Sequence, residues 1–134
     1  KAALLDISPL YKYIIKGNDA QPFLNKIVTR NIRTCNIGQV MYTPWCDEHG
    51  KVIDDGTVQR LDKDCFRLTS AEPNLDWLIE NSMGMDVKIE DDSKNIAALA
   101  IQGPNSRAIL NSIASNDLNS LKFFHYIKNE FNGI

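Results

Sequence analysis

Tyr42-Thr43-Pro44-Trp45-Cys46-Asp47-Glu48-His49-Gly50-Lys51-Val52-Ile53-Asp54-Asp55-Gly56-Thr57-Val58 is the stretch that decides how this chain folds. Asp47-Glu48-His49-Gly50 carries Asx and Gly turn signals between two runs rich in β-formers, which predicts an antiparallel hairpin. On the return strand, alternation places Ile53, Asp55, Thr57, Gln59 and Leu61 on one face. Val52, Asp54, Gly56, Val58 and Arg60 fall on the other. Each aspartate thus shares its face with apolar neighbours. Strand interiors are poor in Asp, and a half-buried carboxylate costs free energy unless it is paired or hydrogen-bonded. From position alone the pair is either a solvated or amide-capping feature of the strand start, or a functional carboxylate site.

A length of 134 residues allows one domain with a real core and is short for two. Hydrophobic content of 43% and charged content of 24% place the chain among ordinary globular domains. A net charge of −2 gives no electrostatic case for nucleic acid or an anionic membrane surface. No apolar run approaches the length of a membrane helix, and no signal-peptide pattern opens the sequence. Cys35, Cys46 and Cys65 have no C-x-x-C spacing and read as reduced thiols, which points to the cytoplasm, or the mitochondrial matrix in a eukaryote. His49 and His125 stand at no metal-ligand spacing, so no metal site is expected. Position 1 is Lys, and both ends run through strand-like or apolar sequence. A fragment of a longer protein is therefore expected, with residues 1–134 forming part of a single domain.

Periodicity predicts strands over Leu10–Ile15, Gln39–Asp47, Lys51–Leu61, Cys65–Ser70, Val87–Glu90 and Phe123–Lys128. Ile96–Ile101 is almost wholly apolar and reads as a strand buried on both faces. Helices are expected after the Asn18-Asp19 cap, from Pro73-Asn74 to before Gly84, and over Asn105–Ala114 behind Pro104. The resulting class is α+β, a mainly antiparallel sheet with flanking helices. An internal echo refines it. Ile15-x-Gly17 is followed by Leu24, Asn25 and Ile27, and Ile101-x-Gly103 by Leu110, Asn111 and Ile113, at identical offsets. The domain is then two related strand–helix halves packed on one sheet, and a site between them has quasi-equivalent elements on either side.

These segments together resemble the folate-binding domain of the aminomethyltransferase family, which includes the T-protein of the glycine cleavage system and related demethylases. Ala3-Leu4-Leu5-Asp6-Ile7-Ser8 is similar to the family's opening segment. Ile15-Lys16-Gly17-Asn18-Asp19-Ala20 with Phe23-Leu24 and Val28-Thr29 is similar to its strand–turn–helix. The Gly38–Thr43 and Asp47–Asp55 segments are similar to its central hairpin, and Ala98–Pro104 to its Q-G-P signature. The resemblance implies a tetrahydrofolate-dependent one-carbon transferase with folate as cosubstrate. Its partners would be a small amine or a lipoyl-carrier protein, and its product 5,10-methylenetetrahydrofolate. Asp55 corresponds to the family's catalytic carboxylate, while Tyr42, Thr57 and Leu10 fall at positions that face folate in relatives. Asp54 is then the structural member of the pair, capping turn amides.

The likeness has departures. Where the family has S-H-M-G, this chain has Ser8-Pro9-Leu10-Tyr11, and the segment after the third hairpin strand reads Ser70-Ala71-Glu72-Pro73-Asn74. Glu72 either receives a cationic amine or caps the next helix. Trp45 and Trp77 read as packing residues, with Trp45 otherwise flanking a pterin. Three readings stay open: a T-protein-like enzyme, a demethylase of a methylated amine or sulfonium compound, and a folate-binding or iron–sulfur-assembly module without turnover.

Overall fold

The computed structural model describes residues 1–131 and Gly133. Among the described residues, seven strands and three α-helices follow one another: β1 (Ala3–Asp6), β2 (Tyr11–Lys16), α1 (Ala20–Ile27), β3 (Val40–Cys46), β4 (Val52–Asp62), β5 (Cys65–Ser70), α2 (Leu75–Asn81), β6 (Lys88–Asp91), β7 (Leu99–Gln102) and α3 (Ser106–Asn111). Five strands form one antiparallel sheet in the order β3-β4-β5-β2-β6, and β1 pairs with β7 in a separate ribbon. The class is α+β, as the hairpin and its neighbours predict.

The hairpin forms for the reasons its turn supplies. Asp47 Oδ1 accepts the amides of His49 at 2.9 Å and Lys51 at 2.8 Å, and Gly50 takes φ +77°. One face of the large sheet carries Tyr13, Ile15, Trp45, Val58, Phe66 and Leu68, all fully buried. Phe23, Leu24 and Ile27 of α1 and Leu78 of α2 complete this core. Burying a side chain of this size is worth about 1.5–3 kcal/mol, so this face carries the stability of the fold. Trp45 lies in it with its Nε1 donating to Asn74 Oδ1, so it packs and flanks no ligand. The opposite face carries the polar positions and stays open.

Four expectations fail. Ile96–Ile101 is not a doubly buried strand: the strand is Leu99–Gln102, its ends are exposed, and it pairs with β1 alone. Phe123–Lys128 is no strand: Gln39 and His125 form an isolated bridge, and the Tyr126 hydroxyl donates to the Arg60 carbonyl of β4. The two strand–helix halves do not share one sheet, since β2 lies in the large sheet and β7 in the ribbon. The Asn18-Asp19 cap also works differently: Asp19 Oδ2 accepts the Asp86 amide at 2.9 Å and caps no helix amide.

The halves nevertheless repeat in detail. Gly17 and Gly103 take φ +136° and +132°. A Cβ on Gly17 would stand 2.2 Å from the Asp86 carbonyl oxygen, and one on Gly103 2.7 Å from that of Lys1. Both turns therefore require glycine. The neighbouring strand is exchanged between halves, β6 lying on β2 and β1 on β7. Each exchanged strand ends in an Asp-x-Ser turn. Ser93 Oγ accepts the Lys12 amide at 2.9 Å, and Ser8 Oγ accepts the Ala98 amide at 3.0 Å. Asp92 N–H donates to the Lys12 carbonyl at 2.8 Å, and Ile7 N–H to the Ala98 carbonyl at 2.9 Å. Lys12 and Ala98 thus hold equivalent places. In the second half, Ile101, Ile109, Leu110, Ile113 and Phe131 line an open apolar groove of about 740 Å³ where the first half has a closed core.

Candidate functional site

Asp54 and Asp55 point to opposite faces of β4, and their surroundings separate their roles. Asp54 is buried. Its Oδ2 accepts the Glu72 amide at 3.0 Å and Asn74 Nδ2 at 2.9 Å, while Oδ1 accepts the Asp55 amide at 2.7 Å. It therefore ties β4 to the β5–α2 loop rather than to the hairpin turn. Asn74 extends this network through its own amide, which donates to the hydroxyl of buried Tyr13 at 2.9 Å. Glu72 keeps its side chain exposed, and its backbone holds the loop.

Asp55 faces the open side. Tyr42 opposes Thr57 across β3 and β4, which makes Asp55 its diagonal neighbour. The Tyr42 hydroxyl donates to Asp55 Oδ2 at 2.5 Å. That bond, reinforced by the adjacent negative charge, holds the Tyr42 phenol above the ordinary tyrosine range. Gly56 lets β4 approach β5 here, because a Cβ would stand 1.8 Å from the Thr69 carbonyl oxygen.

Asp55 borders a cleft of about 460 Å³ across β4, β5 and β2, a size suited to a small organic ligand. Leu10 and Thr57 line it too, so three of the four residues singled out in the sequence meet in one place. Tyr42 does not line the cleft: its hydroxyl meets Asp55 at the cleft's border, and its half-exposed ring lines a second groove with Arg30 and Phe124. Ile7 and Leu10 from the first half and Ile96 and Ala98 from the second all contribute to its lining. Sequence reasoning missed Lys12, Gln59, Arg67 and Thr69, which also line it. The alternation that found Thr57 extends to Gln59, and strand pairing sets Arg67 opposite Gln59 and Thr69 opposite Thr57.

Among the described residues, no group of three or more His, Cys, Asp and Glu side chains is placed to hold a metal ion. No described helix is long and apolar enough to cross a membrane.

An antiparallel α+β sheet with a carboxylate-bearing cleft on its open face defines a domain built to bind a small ligand. The profile of the GCVT N-terminal domain matches residues 1–134, and the chain belongs to that family. It is 37% identical over 129 residues to an aminomethyltransferase of Caldanaerobacter subterraneus subsp. tengcongensis, covering 93% of this chain and 34% of that protein. An aminomethyltransferase of Clostridium botulinum strain 657 is 39% identical over 128 residues, covering 92% and 35%. The glycine cleavage system aminomethyltransferase T of Bartonella henselae superposes with a TM-score of 0.79 at 26% identity, covering 92% of this chain and 35% of that one. Heterotetrameric sarcosine oxidase from Corynebacterium sp. U-96 shares the fold, with a TM-score of 0.69 at 17% identity, over 99% of this chain and 67% of that one. The chain spans about a third of the length of the curated relatives it matches.

Proposed function

We propose that this chain is part of the folate-binding domain of a tetrahydrofolate-dependent one-carbon transferase, most like the T-protein of the glycine cleavage system. In that reaction an aminomethyl group carried on a dihydrolipoyl sulfur is passed to tetrahydrofolate. Ammonia and the free dihydrolipoyl thiol leave, and 5,10-methylenetetrahydrofolate is formed. The observation that carries the reading is the Tyr42–Asp55 pair at the edge of a cleft on the open sheet face.

The cleft fits such a cosubstrate. Ile7, Leu10 and Ile96 offer apolar walls for a flat ring, and Thr57, Gln59 and Thr69 offer polar groups from the sheet beneath it. Asp55 supplies a fixed negative charge. Tyr42 occupies Oδ2 and fixes the carboxylate's orientation, which leaves Oδ1 to accept a hydrogen bond from the attacking nitrogen. A preorganised anion at that point favours cationic, iminium-like carbon without forming a covalent bond to it. Asp54 holds the β4 backbone under Asp55 and does no chemistry.

The test uses the full-length protein. Calorimetry should detect tetrahydrofolate binding. Asp55→Asn should keep the fold and lower turnover by roughly 10²–10⁴-fold, the range of a positioned acid–base group. Normal turnover in Asp55→Asn would remove the main support for a transferase.

A further inference from the structure

Lys12 is 3% exposed and lines the cleft. Its ammonium donates to the carbonyls of Ser8 at 2.9 Å and Leu10 at 2.7 Å. Among the described residues no carboxylate lies within 4.0 Å of it. Asp6 and Asp91 feel its charge, but the hydroxyls and amides of Ser8 and Ser93 are the main partners that hold those two carboxylates. A buried cation compensated only by carbonyl dipoles is costly, and such charges are ordinarily paired.

The fold supplies its own control for this lysine. Ala98 is the equivalent residue of the second half, with the same backbone bonds to the same Asp-x-Ser turn. The turn and the strand pair therefore form without a lysine. The charge on the Lys12 side serves something other than that architecture.

Arg67 is its diagonal neighbour on the same face, since Lys12 pairs with Thr69 across β2 and β5. The Arg67 guanidinium is underused. Nη1 stands 3.4 Å from Gln59 Oε1 and Nη2 4.0 Å from Asp92 Oδ2, both at or beyond the edge of a useful hydrogen bond. Its Nε is buried with no acceptor at all. Two underpaired cations thus share one wall of the cleft that Asp55 borders on the β4 side.

We propose that Lys12 and Arg67 form a carboxylate-binding subsite in this cleft, so that the occupant carries an amine toward Asp55 and a carboxylate toward β2 and β5. This rests on the transferase reading for the identity of the ligands. The carboxylate belongs either to the folate or to an amino-acid-like one-carbon donor, and both present the same planar anion to a guanidinium and an ammonium.

The experiment measures calorimetric affinities of the full-length protein for tetrahydrofolate, for tetrahydrobiopterin, which has the reduced ring without a carboxylate, and for N-methylglycine. Wild type is compared with Lys12→Ala, which copies Ala98, and with Arg67→Gln, beside thermal melts. Each variant should weaken a carboxylate-bearing ligand by roughly 10–100-fold, as expected for losing a charged hydrogen bond, and leave tetrahydrobiopterin within about twofold. Weakened tetrahydrofolate assigns the carboxylate to the folate. Weakened N-methylglycine assigns it to the donor. Unchanged affinity for both, or an equal loss for tetrahydrobiopterin, overturns the subsite. A wild type that binds no pterin, yet loses N-methylglycine in the variants, overturns the folate reading and leaves the subsite standing.

Discussion

Asn25 and Asn111, each eight residues after its glycine, make the same bond: Asn25 Oδ1 accepts the Ile32 amide at 3.0 Å, and Asn111 Oδ1 accepts the Leu118 amide at 2.6 Å. In each half a helix residue thereby fixes the chain that leaves the helix. Asn25→Ala strands a partly buried amide and should lower stability by about 1–2 kcal/mol. Asn25→Asp keeps the acceptor and should retain most of it. Urea melts of the pair decide this, and equal losses would mean that helix propensity, not the bond, is responsible.

Asp54→Asn should reduce stability and leave turnover largely intact, the reverse of Asp55→Asn. All three groups that face the Asp54 carboxylate are donors, on both of its oxygens. An asparagine must set its NH₂ against one of them, which costs about 1–3 kcal/mol. Thermal melts and steady-state kinetics on both variants test the assignment. A catalytically dead Asp54→Asn beside a near-normal Asp55→Asn would reverse the two roles.

Tyr42→Phe should fold normally, because the ring is half exposed, and slow turnover by roughly 3–30-fold through loss of one charge-assisted hydrogen bond. A spectroscopic companion is independent of activity. The Tyr42 phenol titrates above its ordinary value because ionising it places a second negative charge against Asp55 and breaks the bond between them. In Asp55→Asn that titration should move down, which NMR on tyrosine-labelled protein would resolve. An unmoved titration would show that the pair does not form in solution.

Acid should destabilise the two Asp-x-Ser turns together. Asp6 and Asp91 are both held below the ordinary aspartate range, chiefly by the Ser8 and Ser93 hydroxyls and then by the same residues' amides. A carboxyl depressed in the folded state stabilises it fully above the unfolded value, about 3.9, and loses that contribution as pH falls through the folded value. Tm should therefore drop below about pH 4. The drop should be shallower in Ser8→Ala and Ser93→Ala, which start from a lower Tm at neutral pH. Parallel pH curves for the variants and wild type would refute the assignment.

Local chemistry made the hairpin legible. The Asp47–Gly50 turn and the alternation along Ile53–Leu61 depend on neighbours in sequence, and both Asp55 and Thr57 came out on the cleft face. What depends on distant partners did not. Ala3–Asp6 has no periodicity of its own, and its pairing with Leu99–Gln102 is set by the rest of the fold. The apolar run at Ile96–Ile101 says that burial is favourable, yet whether a second layer covers it is a property of other segments. Tyr126 illustrates the same point, because its hydroxyl reaches the Arg60 carbonyl at 2.9 Å without any strand around it. Lys12 and Arg67 were missed because a charged residue on a strand reads identically whether its face meets bulk water or a cleft.

The exchange of opening strands sets an order of events during synthesis. β2 gains its second neighbour only when Lys88–Asp91 has emerged, and Ala3–Asp6 waits for Leu99–Gln102. At about 5–20 residues per second, β1 spends on the order of 5–20 s without its partner. Leu4 and Leu5 are exposed even in the paired state. During that interval the growing chain carries an apolar strand without its partner, the kind of segment that chaperones bind and that aggregates recruit.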